Sequence, residues 1–382
     1  MIFFKYLRPL FIWLFVLSAG LANAQSVDGI TDTSITIGMS GPFTGPNGAY
    51  GTEMQSIIKL YFDQINHNGG IFGRKLQLIA LDDGYETDRA VANTKILIEK
   101  EKVFALTGYY GSSPTTAAME VFSAAKVPLI GTISGSGALR SPTNRYLFHV
   151  RASYANETDQ IVKQLASIGL TSIGVLYQND GFGKSGLEGV TAALKKMNMV
   201  PSVVASVERN STDVQAAVAA MVKIKPQAIV LVTLYKPTAE FVRQVNAANL
   251  HPYFATLSPV GADNLARELG PLSRGIMISQ VMPYPWDDTK PVVHDYKKMV
   301  EKSDGKLVLS YYGLEGYIDA RVLVEAIKSS GKNLTREKLV DNLETMHNLN
   351  IGGFSISYSS TNHDGSQFVD MTVLGANGKV IR

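Results

Sequence analysis

Two short polar stretches carry the residue types best suited to hold an anion. The first is Gly108-Tyr109-Tyr110-Gly111-Ser112-Ser113-Pro114-Thr115. It follows an apolar run and precedes a helical pattern, with Ser113 as the expected N-cap and Pro114 at the first helical position. Free backbone N–H groups at a helix start, beside the hydroxyls of Ser112 and Ser113, suit a carboxylate or another anion. A Ser-Pro pair also caps helices that bind nothing, so on this stretch alone both readings stand. The second stretch, Gly131-Thr132-Ile133-Ser134-Gly135-Ser136-Gly137, offers donors and permissive backbone after another apolar run. Taken singly it also fits a flexible connector. Both stretches are expected at the same edge of one sheet, which favours a shared site at Ser112, Ser113, Ile133, Ser134, Gly135 and Ser136. Tyr50 lies just beyond a Gly/Pro loop, and Phe182 and Tyr235 each follow a strand end. Each alone reads as a packing residue; together they could clamp the apolar part of a small molecule.

Catalytic chemistry finds little support. The chain has 0 Cys, which excludes thiol catalysis and any disulfide framework. The histidines (His67, His149, His251, His294, His347 and His363) show no metal-ligand spacing. There is no G-x-S-x-G elbow. The glycine-rich run Gly41 to Gly51 lacks both the dinucleotide fingerprint and the Lys-Ser/Thr ending of a phosphate loop. Asp82-Asp83 ends a strand and is expected to fix the turn at Gly84. No catalytic residue, metal or cofactor is therefore expected. The net charge of +3 offers no electrostatic footprint for nucleic acid or an anionic membrane.

The elements that must position these residues occur as the same half twice. Apolar runs at Ile35–Met39, Leu76–Leu81, Val103–Leu106 and Val127–Ile130 alternate with helical patterns. One such helix carries Met54, Ile57, Ile58, Tyr61 and Ile65. The order repeats at Ile173–Tyr177, Val203–Val207, Ala228–Val232 and from Pro252, with helices expected over Leu187–Met197, from Asp213 and over Thr238–Ala247. Asp88 and Asp213, like Val103 and Ala228, stand 125 residues apart. Strand–helix alternation with continuously apolar strands means parallel sheets covered on both faces. The fold class is α/β, with two doubly wound parallel-sheet lobes. Two further helical patterns (through Val292 to Val300 and Ala320 to Ala326) and a β-like tail at Met371–Leu374 are expected to complete the sheets. That gives more than one crossing between lobes, and so a multi-strand hinge. The expected division is 25–150 plus about 282–350 for one lobe and 151–281 plus about 351–382 for the other. Residues 1–24 read as a cleaved secretory signal: Lys5 and Arg8, the apolar run Leu10–Leu17, then Ala22-Asn23-Ala24.

The chain resembles the leucine/isoleucine/valine-binding periplasmic receptors, the substrate-binding components of branched-chain amino acid ABC transporters. The resemblance covers nearly the whole mature chain. It rests on Ile37-Gly38-Met39-Ser40-Gly41-Pro42 with Ala49-Tyr50-Gly51, on Asn68-Gly69-Gly70-Ile71-Phe72-Gly73-Arg74, on Leu81-Asp82-Asp83, on Gly111-Ser112-Ser113 with Thr115, and on Asp180-Gly181-Phe182-Gly183. It implies the type I periplasmic binding protein fold, a periplasmic location in keeping with the secretory signal, and a small-molecule ligand handed to a membrane permease; a cleft of this kind requires only a monomer. A sensory receptor of the same fold is the alternative. It also implies that Ser112 and Ser113 hold a ligand carboxylate, that Ile133 to Ser136 form the second donor loop, and that Tyr50, Phe182 and Tyr235 face the ligand. Two positions depart from the pattern. Valine stands at 260, where the family's ammonium-pairing acid is expected, and Gly135 replaces a donor-loop threonine. The ligand is therefore expected either to lack an ammonium or to find another acid, such as Asp180 or Asp263.

Overall fold

The computed structural model describes residues 27–303 and 305–382. The secretory signal assigned to residues 1–24 lies outside the described residues. Among the described residues no helix is long and apolar enough to cross a membrane.

The first half runs β1 (Ser34–Gly41), α1 (Gly48–His67), β2 (Lys75–Asp82), α2 (Thr87–Lys95), β3 (Ala105–Tyr110), α3 (Ser112–Ala124), β4 (Leu129–Ile133) and β5 (Leu147–Phe148). The strands form one sheet in the order β2-β1-β3-β4-β5, with every pairing parallel. β3 and β4 are buried along their whole length, as a central strand covered on both faces must be.

A linking segment that contains Arg151 leads to α4 (Tyr154–Ser167), whose start is fixed by a capping box between Ser153 and Asn156. There follow β6 (Ile173–Gln178), α5 (Gly181–Lys195), β7 (Val203–Val207), α6 (Gln215–Ile224), β8 (Ala228–Val232), α7 (Tyr235–Ala247), β9 (Tyr253–Thr256), α8 (Ala262–Leu269) and β10 (Met277–Gln280). Their order, β7-β6-β8-β9-β10, repeats that of the first sheet. The repeat read in the sequence is thus one winding carried out twice.

The remainder supplies α9 (Pro291–Glu301), α10 (Tyr311–Ser329), α11 (Arg336–Glu344), a small hairpin of β11 (Leu349–Asn350) and β12 (Ser355–Ile356), then β13 (Asp370–Leu374) and β14 (Val380–Ile381). α10 packs on β3, β4 and α1. β13 joins the second sheet antiparallel to β10, and β14 pairs antiparallel with β13. The chain therefore passes between the sheets three times. The first and third passages are tied together: His149 N donates to His363 O at 2.9 Å and Gly365 N to His149 O at 2.8 Å.

The boundaries of β3, β4 and α5 are among those that differ from the sequence reading. β3 continues to Tyr110 and β4 to Ile133, because Gly108 and Gly131 take positive φ (67° and 71°) inside strands that stay paired, Tyr109 with Thr132 and Tyr110 with Ile133. A glycine that reads as a turn here marks a local twist within a strand. α5 begins at Gly181 rather than Leu187, since Asp180 caps it there.

Candidate functional site

In an open sheet of this order the crevice for a ligand opens beyond the carboxyl ends of the strands, where the winding reverses. In the first sheet that place lies between β1 and β3, flanked by Tyr50 on α1 and by Tyr110-Gly111-Ser112. In the second it lies between β6 and β8, flanked by Gln178-Asn179-Asp180 and by Tyr235. The two crevices face each other and are in contact.

α3 starts two residues earlier than the sequence suggested. Gly111, not Ser113, is its N-cap, at φ 90°. A Cβ there would stand 2.3 Å from the Tyr85 ring, so the close approach admits only glycine. Ser112 and Ser113 become the first two helical residues, whose N–H groups have no acceptor within the helix. The Ser112 and Ser134 hydroxyls lie 2.7 Å apart, and Ser136 N donates to Ser134 Oγ at 3.2 Å. The two polar stretches are thus joined. Ser113 faces the other way: its hydroxyl donates to Asp180 Oδ2 at 3.1 Å and accepts from Gly181 N at 3.0 Å, both in the second half. Ile133 ends β4 with its side chain in the core. Gly135 is pressed against Tyr154, whose ring would meet a Cβ at 2.5 Å. The threonine that the resemblance implies at 135 would collide with it.

Tyr50 is completely buried and stacks on Tyr110 with centroids 5.1 Å apart and planes at 14°. Tyr312 lies 5.0 Å from Tyr50, and Tyr235 meets it edge-on at 5.4 Å. Tyr50 OH donates to Val260 O at 2.6 Å and accepts from Tyr235 N at 3.3 Å, and Tyr235 OH donates to Pro46 O at 2.9 Å. Tyr312 OH donates to Pro259 O at 2.9 Å. Burial pushes the hydroxyls of Tyr50, Tyr85, Tyr110 and Tyr312 well above their ordinary pKa, so all four remain protonated. Phe182 stands apart from this group, against Tyr154 at 5.3 Å.

Val260 is buried in the turn after β9 and contributes only its carbonyl. The two alternative acids have surroundings of their own. Asp180 is occupied by the α5 cap, with Phe182 N at 3.0 Å and Gly183 N at 3.1 Å, and by Ser113 and Gln178. Asp263 lines a separate cavity of about 570 Å³ with Glu53, Arg267 and Ser310. Asp82 fixes its turn as read from the sequence, accepting from Phe43 N, Thr44 N and Gly84 N.

Sequence reasoning missed Tyr85, Tyr110, Tyr154, Tyr312 and Arg151. Tyr110 sat inside the first polar stretch and could have been found there. Arg151 lies in the passage between halves and gave no pattern. It is 1% exposed, 3.5 Å from both Glu157 Oε1 and Glu315 Oε1, and bonded to Ser258 Oγ. Burial works against its charge, but Glu315 and Glu157 hold its pKa above the ordinary value.

A family described as periplasmic binding protein matches residues 34–379. The chain belongs to that family. The family is one of binding and transport receptors, and membership implies a location outside the cytoplasm. A substrate-binding periplasmic protein from Ralstonia solanacearum is 32% identical, with a TM-score of 0.86 over 91% of this chain and 99% of its own. A possible leucine/isoleucine/valine-binding protein from Rhodopirellula baltica is 31% identical, with a TM-score of 0.87 over 94% and 98%. An amino acid binding protein of Pseudomonas aeruginosa is 24% identical over 83% of this chain and 84% of that protein. The type I periplasmic binding protein fold expected from the sequence is the one these structures share with the chain.

Proposed function

We propose that this periplasmic binding protein captures a small carboxylate-bearing solute and delivers it to an ABC permease by hinge closure, working as a monomer. The solute class is a branched-chain or related amino acid, or an aromatic or aliphatic acid or amide. The moving bodies are residues 25–150 with about 282–350, and 151–281 with about 351–382; the three passages form the hinge. The solute's polar end meets the α3 start at Ser112 and Ser113 and the loop 133–136. Tyr50, Tyr235 and Phe182 border its apolar part.

One observation carries this reading. A helix start with free N–H groups and the Ser112–Ser134 hydroxyl pair stand beside buried rings supplied by both halves. Such a place offers donors to an anion, apolar faces to the rest of the molecule, and a bond across the cleft that closure alone can make. The test is a thermal-shift screen of the purified protein with amino acids, amides and carboxylates. A ligand of the folded state stabilises it by about 2.7 kcal/mol at roughly 100 times its dissociation constant. Ser112→Ala with Ser113→Ala is expected to abolish most of the shift produced by the best ligand. An unchanged affinity in that double variant would remove the serines from the site.

A further inference from the structure

The crevice of the second half, between the ends of β6 and β8, holds a small cavity that the proposed contacts leave unused. Its volume is about 170 Å³. The first half walls it with Asn47, just before α1. The second half adds Gln178 at the end of β6, Asn210 to Thr212 after β7, and Lys236 at the start of α7. Asn47 and Gln178 are buried. The wall is bonded across the cleft: Asn47 Nδ2 donates to Asn210 Oδ1 at 2.9 Å, and Asn210 Nδ2 to Glu86 Oε1 at 2.6 Å. The cavity therefore has this form only with the two halves together. Pockets for whole small molecules measure about 300–1,000 Å³. A smaller space suits one end of a solute whose other end lies elsewhere in the cleft. The serine site is close by: Gln178 Nε2 donates to Asp180 Oδ2 at 2.9 Å, and the same oxygen accepts from the Ser113 hydroxyl at 3.1 Å.

The chemistry of the lining selects that end. No carboxylate among the described residues lines the cavity. Lys236 is half-buried and is ion-paired with no acid among the described residues; its ammonium stands 5.9 Å from the centre of the Tyr235 ring. Glu240, one turn further along α7, is engaged by Arg243 at 3.5 Å and by Gln244 at 2.8 Å. The hydroxyls of Ser211 and Thr212 add two donors, and the backbone N–H of Lys236, in the first turn of α7, has no acceptor within the helix. Glu86 and Asp180, the acids bonded to lining residues, are engaged elsewhere. Glu86 is paired with Arg209 at 2.8 Å, and Asp180 caps α5.

We propose that this cavity receives a second carboxylate of the solute, held by Lys236 and by the hydroxyls of Ser211 and Thr212. The favoured solute is then a dicarboxylic acid, with one carboxylate at Ser112 and Ser113 and the other at Lys236. A half-buried ammonium attracts an anion more strongly than an exposed one, because less water screens the pair. The two ends also engage different bodies, the serines in the first half and Lys236 in the second, so a diacid ties the halves together as it binds. This rests on the receptor reading above and narrows it.

The experiment is isothermal titration calorimetry at pH 7 on the full protein, with pairs of acids that differ only in the second carboxylate. The pairs are glutarate beside pentanoate, adipate beside hexanoate, glutamate beside norvaline, and benzene-1,4-dicarboxylate beside 4-methylbenzoate. The expected result is at least tenfold tighter binding of a diacid than of its counterpart, with a ratio that shrinks as salt is raised. Lys236→Met is expected to bring the ratio to within twofold, and Lys236→Arg to keep most of it. Should the methionine variant fail to fold, the wild-type protein decides: a ratio unmoved by salt overturns the inference. Equal binding of both pair members, a preference that survives in Lys236→Met, or a thermal shift confined to solutes with a single carboxylate also overturns it and leaves the receptor reading intact. Binding of no pair member, with no shift in the wider screen, overturns both.

Discussion

Replacing Tyr50 by phenylalanine tests whether closure is a balance that this protein tunes through single bonds. Tyr50 sits on α1 in the first half, yet its hydroxyl is bonded on both sides to the second, donating to Val260 O at 2.6 Å and accepting from Tyr235 N at 3.3 Å. The ring is stacked on Tyr110 and would stay in place. Phenylalanine therefore leaves a buried carbonyl and a buried N–H without partners in the closed form only, since water reaches both when the lobes separate. An unsatisfied buried polar group costs about 1–3 kcal/mol. Carried wholly by the closed state, that shifts the opening equilibrium by roughly 5- to 150-fold. Small-angle scattering of the ligand-free Tyr50→Phe protein should show a larger radius of gyration than wild type. Its apparent affinity for the best screening ligand should fall by the same factor. The chemical-denaturation midpoint should move little, because each lobe keeps its own core. Unchanged dimensions together with an affinity within twofold of wild type would refute the reasoning.

Two further outcomes follow from single side chains. Asp180→Ala removes the α5 cap and the partner of Ser113, and urea denaturation should register a loss of about 0.5–2 kcal/mol, typical of a lost N-cap. Glu53 is raised to about 7, chiefly by burial beside the outer cavity, against its bond from Ser310. A carboxyl raised from its ordinary 4.5 favours folding fully below about 4.5, and that contribution is lost as pH rises through about 7. Denaturation at pH 4.5 and 8 should show wild type losing more stability than Glu53→Gln over that interval; parallel profiles would contradict it.

How far the sequence could be read depended on how local each signal is. β7 and β8 fall on the residues expected, because a short β-branched run bounded by Pro and by charged or polar residues has one way to be a buried strand. The ends of β3 and β4 were misread for a physical reason: Gly108 and Gly131 twist the strands without ending them. Helix α11 escaped notice because only Leu339, Val340 and Leu343 of its residues are buried, too short a stripe to stand out. The antiparallel direction of β13 depends on where the chain returns after α11, which no local pattern records. The same holds at the site. Ser112 and Ser134 announce themselves through neighbouring glycines and hydroxyls, whereas Arg151, Tyr312 and Glu315 come together only because α10 crosses back to the first sheet.

The doubled winding explains why the site is asymmetric. Each half ends a strand at its reversal point and opens a helix there, α3 after β3 and α5 after β6, so two positive helix starts converge on one cleft. Left bare, both would attract an anion. Asp180 satisfies one of them from within the chain: its Oδ1 accepts the first-turn N–H groups of α5, while its Oδ2 takes the hydroxyl of Ser113 and the amide of Gln178 at 2.9 Å. The carboxylate that caps the second half thereby also holds Ser113 across the cleft. The start of α3 at Ser112 and Ser113 has no such carboxylate across its first turn and stands beside the Ser112–Ser134 hydroxyl pair. A fold built from two like crevices thus differs at the two helix starts: a carboxylate of the chain itself meets α5, whereas the α3 start is met by hydroxyls alone.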